Sequence, residues 1–350
     1  MLSKIIKDDL KKIYSNFSEE LKNLEGKSIF FTGGGGFIGS YLVDIFAQNN
    51  KNLEKPTKIT IMNKNPMKKG SRLDHLLDDP YFKFISGDVG KPFKISKETD
   101  IIFHAASRSN PSQFIDNPLD TLDANINGTR TLLEHSKKNP VENFILFSSG
   151  EIYGNPLPEF VPTPETYFGN IDCLHPTSCY TESKRISENL GSIFFKKWDV
   201  PVKIPRILLA YGPGMRDEGK VISDFYMDAK KNKKISIRDA GEDTRNFCYV
   251  SDIVEGILDV MFKGKSGEPY NVANDKEKIS IKNLAYKISN LFDEEIEIKT
   301  NPNALKKIVY GIPTRHLDIS KIRELGFEPK VSLEEGLLRL KNHEKETGYL

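Results

Sequence analysis

Seven consecutive residues, Gly33-Gly34-Gly35-Gly36-Phe37-Ile38-Gly39, constrain this chain more than any other feature. They follow a short apolar run, SIFFT, and open a helical pattern, FIGSYLVDIFAQ. Glycines between a strand and a helix let the backbone approach a pyrophosphate closely, and the helix N-terminus offers unpaired N–H groups to its charge. The run fits both Gly34-x-Gly36-x-x-Gly39 and Gly33-x-x-Gly36-x-x-Gly39, and spacing alone does not choose between them.

Beyond the loop, short apolar runs at 59–62, 82–85, 100–105 and 144–148 alternate with helical stretches, notably 119–137. Such alternation predicts βαβ units and a doubly wound, Rossmann-type parallel sheet in an α/β protein. Residues 155–176, rich in Pro, Gly and Asn, read as a loop, and a long helix follows at about 177–197. The run KIPRILLAYG reads as one strand, after which elements become shorter and mixed. The expected organisation is an N-terminal helical extension over 1–25 and a dinucleotide-binding domain over 26–203 with return segments at about 236–272. Residues 204–350 mainly form a smaller, mixed α/β C-terminal substrate domain. The extension places Ile6, Leu10, Ile13, Phe17, Leu21 and Leu24 at helical spacing, which predicts a helix packed on the body or on a neighbouring subunit.

Lys plus Arg (51) nearly balance Asp plus Glu (49), so no charge excess points to nucleic acid or an anionic membrane. No apolar run approaches the length of a bilayer span, and the charged N-terminus lacks the apolar block of a signal peptide. Three cysteines without a CxxC exclude a disulfide scaffold, and the scattered histidines form no metal-ligand spacing. The expectation is a cytoplasmic protein without a bound metal.

Two further segments carry chemistry. Tyr180 and Lys184 are four apart on a predicted helix and so share a face. A phenol titrates near pH ~10 in water, and a nearby cation favours its phenolate and lowers that value. Such a tyrosine can take a hydroxyl proton while a dinucleotide accepts the hydride. At the predicted end of the fifth strand, Ser149 is placed to bond the reacting oxygen and Glu151 to handle a proton. The second strand ends Met62-Asn63-Lys64, with Asn63 where an acid for the adenosine ribose is expected. An amide can bond a diol, whereas Lys64 can meet a 2′-phosphate; NAD is preferred and NADP is the alternative. His104 reads as a structural imidazole and Cys179 as buried packing.

TGGGGFIGS, HAAS, FSSGEIYG and YTESK together resemble the nucleotide-sugar epimerase/dehydratase family of extended short-chain dehydrogenases, over about residues 26–345. The segment SCYTESKR, with TRNFCYVSD and Arg315-x-x-Asp318-Ile319, is most similar to the UDP-glucuronate decarboxylases of that family. The resemblance implies that Gly33, Gly36, Phe37, Ile38, Gly39, Asn63, Asp88, Val89, Ala105, Ala106, Ser107, Asn125, Tyr180 and Lys184 bind NAD. It implies Ser149, Arg245, Arg315 and Lys220 at the nucleotide sugar, with Tyr180, Lys184, Ser149 and Glu151 as the reacting set. It also implies a homodimer built on the helices at 119–137 and 177–197.

The implied chemistry is a redox loop at C4 of a hexose, in which a C5 carboxylate lies β to the transient ketone and can leave as carbon dioxide. Two positions depart from the decarboxylase pattern: Gly150 stands where a hydroxyl residue precedes the glutamate, and Lys220 where an arginine is usual. Decarboxylation of UDP-glucuronate is the preferred reading. A 4-epimerase or 4-dehydrogenase for another nucleotide sugar is the alternative, and a non-catalytic NAD- or sugar-nucleotide-binding protein is the reading from a different class.

Overall fold

The computed structural model describes residues 2–108, 111–175, 177–216, 219–301 and 314–350. In chain order the first half comprises α1 (Lys4–Lys22), β1 (Ser28–Thr32), α2 (Phe37–Asn50), β2 (Lys58–Asn63), β3 (Phe82–Ser86), β4 (Ile101–His104), α3 (Pro111–Asp116), α4 (Pro118–Lys138), β5 (Asn143–Leu146), β6 (Ser148–Ser149), α5 (Ser178–Trp198) and β7 (Val202–Ile207). The second half comprises β8 (Ala210–Tyr211), α6 (Val221–Asn232), β9 (Lys234–Ile237), β10 (Thr244–Arg245), β11 (Cys248–Tyr249), α7 (Val250–Lys263), β12 (Pro269–Val272), β13 (Ile279–Ser280), α8 (Ile281–Ser289), β14 (Glu297–Thr300), β15 (Thr314–Arg315), α9 (Ser320–Arg323) and α10 (Leu333–Thr347).

An eight-stranded sheet runs β12-β7-β5-β4-β1-β2-β3, with β6 pairing the far end of β7, and every pairing in it is parallel. Both faces are buried, and the pleat assigns alternate residues to opposite cores. On β1, Phe31 joins one apolar cluster and Phe30 the other; on β4, Phe103 and Ile102 divide likewise, as do Ile145 and Phe144 on β5. Phe31 stacks on Phe103 at 4.8 Å across the β1–β4 pair. Strand order reverses between β1 and β4, and at such a switch point the strands' carboxyl ends leave a crevice.

The expected strand at KIPRILLAYG breaks. β7 stops at Ile207, Leu209 takes a left-handed conformation (φ 48°), and Ala210–Tyr211 turns away to pair with Cys248–Tyr249. A left-handed non-glycine residue is uncommon, and this one lines the central cavity. Past that break the elements are short, as expected: β10 and β11 have two residues each, and α8 begins at Ile281. β12 returns to the edge of the large sheet, whereas β9 pairs with β14 in a separate small one.

Helix α1 is capped by Ser3 and lies against α2, α7 and α10. It is packed on the body of the same chain. Its Asp9, buried, accepts from Tyr249 Oη at 2.8 Å and pairs with Arg339 at 2.5 Å. Among the described residues, no helix is long and apolar enough to cross a membrane.

Candidate active site

A cavity of about 980 Å³ opens at the strands' carboxyl ends and is lined by the glycine loop, the segment at 147–151, Tyr180 and Lys184, together with Lys220, Arg245 and Arg315. The sheet supplies one wall and the irregular second half of the chain supplies the other.

In the glycine loop, Gly33 adopts φ 76°, and a Cβ there would stand 2.6 Å from the Ala106 nitrogen. A Cβ on Gly39 would stand 2.6 Å from the Gly33 carbonyl oxygen, and Gly34 faces Ile61, Phe31 and Val43 in the core. The geometry therefore selects the Gly33-x-x-Gly36-x-x-Gly39 register. Gly36 caps α2 without a side-chain acceptor, so first-turn N–H groups stay available to a bound anion.

At the end of β2, Asn63 Oδ1 accepts the Gly35 N–H at 3.1 Å, and its Nδ2 is buried without a partner. That orphaned donor suits a ribose hydroxyl. Lys64 is bonded to Asp88 at 2.8 Å and Asp120 at 3.3 Å, the latter also paired with Arg108. Asp88 and then Asp120 raise its pKa, and a cation so engaged is poorly placed to receive a 2′-phosphate. The residues present fit NAD.

Ala105 and Ser107 line the cavity beside Gly33, and Phe37 and Ile38 lie at the head of α2. Val89 is buried in the sheet's second core. Asn125 does not line the cavity. It joins α4 to α5, its Nδ2 donating to Ser183 Oγ at 2.8 Å and its carbonyl accepting from Ser187.

Tyr180 and Lys184 face the cavity from α5 and are almost fully buried. The sequence suggests a phenol lowered by lysine, and here burial prevails. It pushes Tyr180 up to about 12, while a hydrogen bond from Ser149 pulls it down and Glu151 pushes it up. Lys184 Nζ stands 6.0 Å from the phenol ring's centre and donates to the Phe147 carbonyl at 2.7 Å. Burial brings its ammonium down to about 8, opposed by Glu188. Phe114, which no sequence pattern singled out, stacks on Tyr180 at 4.5 Å and 8° and covers one face of the phenol. It lies on α3, whose six residues are too few for a periodicity that could have pointed to it.

Glu151 forms a 2.5 Å ion pair with Arg315. Arg315 and Arg245 occupy opposed positions on β15 and β10, and Arg315 Nε is buried without a partner. Burial and then the neighbouring Arg315 lower Arg245's pKa, with Asp243 opposing at 3.3 Å. Two adjacent guanidiniums in a cavity form a strong anion-binding pair. Lys220 lies at the head of α6, 5.9 Å from the Phe37 ring, its pKa lowered by burial and then by Arg72.

Gly150 is walled in: a Cβ there would stand 2.9 Å from Leu208 Cδ1 and 3.0 Å from Leu317 Cδ1. The missing hydroxyl is thus matched by packing that fills its place. His104 is buried and bonded to Thr32 at 2.7 Å, and burial and then the Lys184 charge push it down to about 3, so it is a neutral structural imidazole. Cys179 is half-buried, its thiol pushed up by burial.

A family model described as the NAD dependent epimerase/dehydratase family matches residues 29–273. UDP-glucuronic acid decarboxylase 3 of Arabidopsis thaliana is 36% identical over 311 residues, covering 88% of this chain and 86% of the relative. Among solved structures, an epimerase from Methanothermobacter thermautotrophicus superposes with a TM-score of 0.80 at 23% identity, covering 96% of this chain and 97% of that one. The UDP-glucuronic acid 4-epimerase of Bacillus cereus, solved with UDP-glucuronic acid and NAD, gives 0.77 at 23% identity over 91% of this chain and 99% of that one. The glycine register, the orphaned Asn63 amide and the matched span agree, and the chain is an enzyme of the NAD-dependent epimerase/dehydratase family.

Proposed function

We propose that this enzyme acts on a nucleotide sugar through transient oxidation at C4, and that its reaction is the decarboxylation of UDP-glucuronate. The observation that carries the reading is the single cavity in which Ser149, Tyr180 and Lys184 share space with Glu151 and the Arg245–Arg315 pair. The decarboxylases 36% identical to this chain support the choice of substrate.

When bound, NAD supplies removal of the C4 hydride and its later return. Tyr180 takes the proton of the C4 hydroxyl, and Ser149 donates a hydrogen bond to the same oxygen. Lys184 holds positive charge beside them, which favours the phenolate. With C4 at the ketone level, the C5 carboxylate is β to a carbonyl, and carbon dioxide leaves with its bonding pair passing to the enolate. Glu151, oriented by Arg315, handles the proton at C5. Arg245 and Arg315 bind the anionic part of the substrate, and Lys220 adds a cation without the bidentate grip of arginine. Chains of this kind would pair through the outer faces of α4 and α5, which expose Leu119, Ile186 and Ile193; sedimentation velocity tests that.

The experiment is incubation of the purified protein with UDP-glucuronate and NAD, followed by the mass of the sugar nucleotide. Loss of carbon dioxide supports the proposal. An unchanged mass with altered configuration at C4 would replace it with epimerisation, the reading that Gly150 favours because an epimerase needs no hydroxyl there.

A further inference from the structure

Beneath the cavity floor runs a chain of buried polar groups that the proposed chemistry does not use. Glu188 follows Lys184 by four residues on α5 and Tyr180 by eight, so all three fall along one helix face. Its side chain is 12% exposed and that of Arg206, on β7, is 10% exposed. The two form a bidentate pair, Nε to Oε1 at 3.0 Å and Nη2 to Oε2 at 2.7 Å. Oε1 also accepts the Ser148 hydroxyl at 2.5 Å.

Ser148 immediately precedes Ser149, and on β6 these two residues stand opposite Arg206 and Ile207. One carboxylate therefore ties the helix that carries Tyr180 and Lys184 to the strand that carries Ser149. The chain continues outward. Arg206 Nη1 donates to Tyr153 Oη at 2.8 Å, Tyr153 donates to Asn271 at 2.7 Å, and Asn271 Nδ2 donates to the Thr163 and Asp318 carbonyls. Asp318 lies three residues beyond Arg315, so the network reaches the segment that engages Glu151.

Buried ion pairs contribute little net stability compared with well-packed apolar residues, and what they offer is fixed geometry. Around Lys184 the ionisable groups are Glu188 and Tyr180 on its own helix and His104 from β4. Ser149 and Glu151, from β6 and the turn after it, act on the phenol. His104 is neutral, and Glu188 is the carboxylate that opposes the effect of burial on the lysine.

We infer that Glu188, clamped by Arg206 and Ser148, is a positioning residue that aligns Ser149 with Tyr180 and fixes a carboxylate on the α5 face that carries Lys184. The inference rests on the reading of Ser149, Tyr180 and Lys184 as the reacting set, and its first test needs no substrate. Lys184 in the folded protein is pulse-labelled with a small acylating reagent across a pH series and quantified by mass spectrometry. In Glu188→Gln the labelling midpoint moves to lower pH by about one unit, and Glu188→Asp restores most of it. With nucleotide sugar, Glu188→Gln lowers kcat about tenfold or more, leaves KM within about twofold, and brings the alkaline limb of the pH profile down with the labelling midpoint.

Glu188→Gln leaves Arg206 buried and unpaired, so Ser148→Ala serves as the milder variant. It should keep the labelling midpoint and thermal midpoint while kcat falls several-fold. An unmoved labelling midpoint in folded Glu188→Gln, or an unchanged kcat in Ser148→Ala, overturns the inference. A wild-type protein that labels as described but converts no nucleotide sugar would sink the proposed reaction instead and leave the role of Glu188 standing.

Discussion

The two walls of the cavity are made by different means. The wall we propose for the cofactor is backbone: the glycine loop and the adjoining 105–106 segment approach so closely that no side chain fits between them, and regular parallel strands hold them there. The wall we propose for the substrate is charge. Arg245 and Arg315 sit on two-residue strands and are held by Asp243 and Glu151. A backbone cradle is robust to the loss of any one polar group and intolerant of added volume, whereas a wall of guanidiniums is the reverse.

That contrast can be broken at its centre by Tyr180→Phe, which removes the proposed proton acceptor on α5, between the two walls. Turnover should fall about 10²–10⁴-fold, with NAD binding, followed by fluorescence titration, unchanged. Arg315→Ala should separate the walls: kcat/KM for the nucleotide sugar drops about 10–100-fold while NAD affinity holds, since the variant deletes charge-assisted bonds on one side only. Gly39→Ala should do the converse, weakening NAD about tenfold and lowering the thermal midpoint, because its methyl group meets the Gly33 carbonyl.

A smaller effect is expected of Gly150→Ser, which adds volume where Leu208 and Leu317 already pack. It should cost about 1–3 kcal/mol of stability in a denaturant titration and bring no gain in rate. A faster variant would mean that the leucines yield and that the hydroxyl can be restored. A further effect concerns pH and stability rather than turnover, and lies outside the cavity. Burial raises Asp9 to about 6 and Asp252 to about 7, so the folded chain keeps protons that the unfolded chain has lost. Their contribution to stability therefore declines as pH rises from about 4 to 7, and Asp252→Asn should flatten the thermal midpoint over that interval.

The glycine loop and the shared face of Tyr180 and Lys184 are legible in the sequence because their determinants are local: a glycine run between an apolar strand and a helix, and a tyrosine and lysine four residues apart. Helix α1 was readable as amphipathic, but its seat on α2, α7 and α10 depends on contacts more than two hundred residues away, such as Asp9 with Tyr249 and Arg339. The break at Leu209 was not readable, since KIPRILLAYG is uniformly strand-like and its turn is imposed by pairing with Cys248–Tyr249. The level of the Tyr180 phenol is not legible for a related reason. Spacing reveals the neighbouring lysine but not the burial that outweighs it, nor the Phe114 ring lying flat on the phenol. The same limit hid Glu188: its place on the helix is visible, its clamp by Arg206 and Ser148 is not.

The central claim, that the cavity oxidises a nucleotide sugar transiently at C4, is tested most directly with UDP-glucuronate deuterated at C4. The account predicts slower turnover than with the unlabelled substrate and a decarboxylated product that retains the deuterium at C4. A rate indifferent to the label, or a product whose deuterium has exchanged into solvent, would contradict it.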